Sequence, residues 1–97
     1  MSAPIEPLGP VEYALRREAW IAEGRLKAFH FAMDCHGNID CIENEIQDRE
    51  STIAELLAAN PRGPMAPGAS PRIHMDAYLA SLREAIELIR RLQLKNG

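Results

Sequence analysis

Residues 29–41 read FHFAMDCHGNIDC, and the fold turns on whether His30, Cys35, His36 and Cys41 hold a metal or mark the place where the chain reverses. A structural zinc site takes four Cys or His ligands, usually as short pairs such as C-x2-C set apart by a longer spacer. Here the intervals between the candidates are five, one and five residues, and the neighbours Cys35 and His36 diverge if they stay helical. A turn accounts for the same letters better. His36 falls in the last turn of a helix, where a partly protonated imidazole suits the negative end of the dipole, and Gly37 supplies the left-handed C′ position. Asn38 then caps a second helix, or Asp40 does so with Glu43 three residues later. The stretch is a helical hairpin, with no metal and no cofactor expected.

Upstream, Gly9-Pro10-Val11-Glu12 has the form of a helix start: Gly9 at the N-cap, Pro10 where its missing N–H costs nothing, and Glu12 near the positive end of the dipole. Val11, Leu15, Ala22, Leu26, Phe29 and Met33 follow at intervals of three, four or seven, so they line one face of a helix over about 10–35. That face is expected to be the inner one. Residues 1–9, with Pro4 and Pro7, carry no period and form an arm. Downstream, Ile39, Ile42, Ile46, Ile53 and Leu56 set a second helix over 39–59, which Asn60-Pro61 ends because the residue before proline is pushed out of the helical region.

NPRGPMAPGASP (60–71) holds four prolines and two glycines and is the linker. Ser70 caps a third helix, with Pro71 at its first position, and the helix runs over 71–94. Met75, Leu79, Leu82, Ile86 and Ile89 form its seam, widened by Tyr78, Ala85, Leu88 and Leu92. A proline-rich linker extends by about 3.1 Å per residue and so reaches roughly 30 Å, about the length of the second helix, which lets the third helix pack on it in either direction or cross to a second chain. The expected architecture is therefore all-α: a single helical domain over 10–95, a hairpin plus a crossover, completed by homodimerisation because the private core of so short a chain is small.

The 97 residues carry 11 Lys and Arg against 14 Asp and Glu, a net charge of -3. That balance excludes a nucleic-acid footprint, which needs clustered bases. No run approaches the roughly 18 apolar residues of a membrane span and none resembles a signal peptide, so a cytoplasmic chain with two reduced cysteines is expected. Asp40, Glu43, Glu45, Asp48, Glu50 and Glu55 make the second helix acidic against Arg49 alone, whereas its neighbours are slightly basic.

Tyr13, Trp20 and Phe31 lie within about 20 degrees of one another on the first helix, nearly opposite Phe29, with Gly24 on the same side to admit another backbone. This second stripe, with Tyr78, Leu88 and Leu92, is the expected partner or dimer interface. Catalysis finds no support. Cys41 lies beside Asp40 and Glu43, which disfavour a thiolate, and Ser70, His74 and Asp76 crowd one helical turn without a nucleophile elbow.

In size, helicity, acidity and surplus apolar surface the chain resembles the small helical antiactivators that bind bacterial quorum-sensing transcription factors and keep them from dimerising or reaching DNA. The resemblance implies a non-enzymatic regulator that binds and inhibits another protein, with a transcription factor as the expected partner. The alternative is a small secretion chaperone or adaptor.

Overall fold

The computed structural model describes residues 9–96, so the predicted arm lies outside the described residues except for Gly9. Three helices form: α1 (Pro10–Asp34), α2 (Ile39–Ala59) and α3 (Ser70–Asn96). Among the described residues there is no strand, and no helix is long and apolar enough to cross a membrane. Gly9 is the N-cap of α1 with Pro10 behind it. At the other end, Cys35 is the C-cap, and His36, not Gly37, takes the C′ position with φ 53°. The His36 N–H donates to the Met33 carbonyl at 2.9 Å and the Gly37 N–H to that of Ala32 at 3.5 Å, the paired bonds of a Schellman motif. Gly37 then adds a second left-handed residue at φ 76°. Asn38 accepts the Cys41 N–H at 3.1 Å and so is the cap of α2, rather than Asp40.

The direction of α3 follows from its partners. Glu43 of α2 meets Arg90 at 3.4 Å and Glu50 meets Arg83 at 3.1 Å, so α2 and α3 run in opposite senses. Arg17 and Ile21 of α1 share a groove with Ile73 and Ala77, and Ala32 and Met33 share one with Ala85 and Leu88, so α1 and α3 run in the same sense. The bundle is up-down-up with two consecutive hairpins, which corrects the expected crossover.

The linker does not extend. Gly63, Ala66 and Ala69 donate in turn to the carbonyls of Asn60, Gly63 and Ala66 at 3.0–3.1 Å, so 60–69 is a chain of tight turns. Met65 is buried in the core from within it, and Arg72 Nη1 holds the Met65 carbonyl at 2.9 Å. The first backbone bond of α3 runs from the Ile73 N–H to the Ala69 carbonyl, which starts the helix at Ser70 and moves the cap one residue upstream.

Ile42 and Leu82 are fully buried, flanked by Ile46, Ile53, Leu79 and Ile86. Each such side chain stabilises by about 1.5–3 kcal/mol. Between α1 and α3 the contact is of another kind. The buried residues of α1 are Gly24, Ala28 and Ala32, and α3 answers with Ala77, Ser81 and Ala85, the last two buried. Both sets repeat every four residues, so two ridges of small side chains interlock and bring the backbones close. A Cβ on Gly24 would overlap the His74 carbonyl oxygen. The ion pairs between helices, including Arg25 to Glu84 at 2.8 Å, are exposed and add only about 0–1 kcal/mol each.

Candidate functional site

Because small residues form the inner face of α1, several of its large apolar residues are left outside. Val11 is 74% exposed, Leu15 67%, Leu26 58% and Met33 63%. The face expected to be inner is thus the outer one. A ridge of Gly and Ala at every fourth residue lets α3 come closer than any row of Leu and Met could, and the gain in close contact decides which side is buried. Leu15, Ala19, Ala22, Leu26, Phe29 and Met33 follow one another at intervals of 4, 3, 4, 3 and 4, the spacing of an unbroken coiled-coil seam. Phe29 is half-buried, and the Arg25 guanidinium lies 5.3 Å from its ring centre. Along the last turns of α1 the stripe continues into an apolar groove of about 390 Å³ between Phe29, Met33, Leu88 and Ile89.

The residues predicted as an interface are divided by the fold. Tyr13 and Trp20 pack edge to face at 6.1 Å between ring centres, Tyr13 more exposed and Trp20 half-buried. Phe31 is half-buried against the core. Gly24 does admit another backbone, but it is that of α3 in the same chain, and Tyr78 is buried between helices. Those two are therefore corrected from interface to core. Leu88 and Leu92 stay exposed, at 46% and 51%, Leu88 on the groove it shares with Met33 near the end of α1. The outer stripe itself was present in the sequence as a heptad period; assigning it to the inside hid it.

A second concavity, of about 520 Å³, opens between α1 and α2 over α3, with Lys27, His30 and Asp34 on one wall, Glu45 and Arg49 on the other, and His74 and Tyr78 below. At its floor the Tyr78 hydroxyl donates to Glu45 Oε2 at 2.6 Å, and Arg49 Nε donates to the same oxygen at 3.3 Å. Glu45 is thus engaged by two donors, a poor arrangement for a general base. Burial, then the hydrogen bond to the Glu45 carboxylate and its charge, push the Tyr78 hydroxyl well above the ordinary phenol range. Across the hairpin, burial first and then the neighbouring Cys41 push the Cys35 thiol up to about 11 from 9.0. Among the described residues no group of three His, Cys, Asp or Glu is placed to hold a metal ion, and no buried side-chain nitrogen or oxygen lacks a hydrogen-bond partner.

These two groups predict the alkaline behaviour of the fold. A group whose pKa is higher in the folded chain binds its proton more tightly there, so its contribution is complete below the unfolded pKa and lost as pH rises through the folded one. For Cys35 that window opens near 9.0 and runs to about 11, and Tyr78 extends it upward. Thermal midpoints followed from pH 7 upward should fall from about pH 9. A Cys35→Ala chain should lose the lower part of that fall. A midpoint flat through the window would refute the burial of these groups.

Compared with protein-family models, with curated proteins and with solved structures, the chain matches none.

Proposed function

We propose that this chain is a non-enzymatic regulator that works by binding another protein, an antiactivator in general plan, and that the outer face of α1 is the surface it uses. The single observation behind this is the exposed run Leu15, Leu26 and Met33 on a heptad seam, continuous with the groove beside Leu88. Soluble helices keep such seams for another helix, since an apolar stripe left in water forfeits about 1.5–3 kcal/mol per large side chain that a partner could recover. A transcription factor held through its own dimerisation helices fits the chemistry of the seam, which recognises an apolar helical face and no charge pattern. The occupied Glu45 carboxylate speaks for binding rather than catalysis.

The test is a comparison of what co-purifies from the native host with the wild-type chain and with a Leu15→Asp/Met33→Asp chain. Both positions are exposed, so the variant should fold. A DNA-binding regulator recovered with the wild type and lost with the variant is the expected result, together with release of that regulator from its DNA on titration with the wild type. Identical recoveries from the two chains would refute the use of this face.

A further inference from the structure

We infer that the seam of α1 is built to pack against a second copy of itself in antiparallel orientation, with the two-fold axis beside residue 24, so that the chain stores its binding face in a homodimer. This rests on the assignment of that face as a binding surface and adds its occupant. In an antiparallel pair centred there, positions whose numbers sum to 48 stand opposite one another. Leu15 then meets Met33 of the second copy, Ala19 meets Phe29, and Ala22 meets Leu26. Every layer is apolar, and each alanine faces a large residue, which is how a helix pair fills its seam without voids or crowding. The same symmetry repeats each layer, as an isologous interface requires.

Other arrangements of the same two helices are poorer. In a parallel pair Ala19 and Ala22 face their own copies and Glu18 comes beside Glu23 of the second helix. The antiparallel axis likewise sets Glu23 and Arg25 each beside its own copy, so these flanking contacts are comparable and the unfilled alanine layers decide. An antiparallel pair shifted by one heptad gains opposite charges, Arg16 to Glu23 and Glu18 to Arg25, but it sets Glu12 against Phe29 and slides the second helix off Met33. Exposed pairs contribute about 0–1 kcal/mol each, whereas an uncovered Met or a carboxylate in an apolar layer forfeits more. Arg25 is moreover already bound to Glu84 at 2.8 Å. The register centred at residue 24 also carries Val11 of the second copy to the level of Gly37, beside the groove between Phe29, Met33 and Leu88. The exposed Val11, at 74%, thereby meets an apolar surface. A partner protein must displace the second copy to reach the seam.

Sedimentation equilibrium and photo-crosslinking together test this. The wild-type chain should sediment as a dimer, and Leu26→Asp should raise the dissociation constant by about 100-fold or more, since the two-fold axis counts the change twice. Circular dichroism of that variant should be unchanged. With p-benzoylphenylalanine in place of Leu15, irradiation should join two chains, and mass spectrometry should place the attachment at or beside Met33. Positions 15 and 33 are about 27 Å apart along one helix, so that product can only form between chains. Attachment at Leu26 or near residue 15 would overturn the register, and a monomeric wild type would overturn the dimer. If that monomer still captures a regulator that Leu15→Asp/Met33→Asp loses, the proposed function stands alone; if both chains capture the same proteins, the proposed function falls with it.

Discussion

Gly24→Ala is expected to lower the thermal midpoint by roughly 10 °C, although alanine is the better helix former by about 1 kcal/mol. The added Cβ would overlap the His74 carbonyl oxygen and lie 3.1 Å from the Tyr78 nitrogen and 3.2 Å from the Ala77 Cβ. Two of these neighbours are backbone atoms of α3 and cannot turn aside as a side chain could. The helices must separate, which loosens Ala28 and Ala32 against Ser81 and Ala85 as well. Overpacking of this kind costs about 1–3 kcal/mol where side chains can adjust, and more where backbone must move, so the net loss should be about 2 kcal/mol. Thermal unfolding followed by circular dichroism measures it. A midpoint equal to or above that of the wild type would show that α1 and α3 do not touch at this ridge.

Leu82→Ala should cost about 3 kcal/mol, the largest loss from a single leucine truncation among the described residues. Leu82 is fully buried, packed in one core cluster with Ile42, Ile46 and Ile86, and a helix bundle cannot collapse onto a missing isobutyl group without shifting whole elements. Leu26→Ala, at a position 58% exposed, should cost less than about 1 kcal/mol at concentrations too low for self-association. Urea unfolding of the two variants side by side therefore measures which face of α1 is inside. Comparable losses would mean that Leu26 is buried within its own chain and that the outer seam does not exist.

Much of the architecture could be read from local signals. Gly9-Pro10, Asn38 and Asn60-Pro61 bound α1 and α2 where caps and the proline rule put them. The apolar seam of α3, with Leu79, Leu82 and Ile86, is the one that is buried. Even the hairpin in FHFAMDCHGNIDC was legible in kind, though His36 rather than Gly37 takes the first left-handed position. The preference for glycine at C′ is statistical, and here the bonds from His36 and Gly37 back to Met33 and Ala32 place the turn one residue earlier.

The candidate site was legible as a pattern and not as a place. Periodicity shows that Leu15, Leu26 and Met33 share a face, but only a neighbouring helix decides whether that face is inside, and the neighbour chose Gly24, Ala28 and Ala32. Nothing in α1 alone announces that choice, because its counterpart, Ala77, Ser81 and Ala85, lies some fifty residues away. The direction of α3 was hidden for a related reason: a proline-rich linker is long enough to go either way, and it was the burial of Met65 and its hold by Arg72 that folded it into turns. Helix existence, limits and class thus belong to the sequence by itself, since capping and backbone restriction act within a turn or two. Which faces meet, and so which face is left for a partner, belongs to the tertiary structure, since the distance of approach between two helices depends on both of them at once.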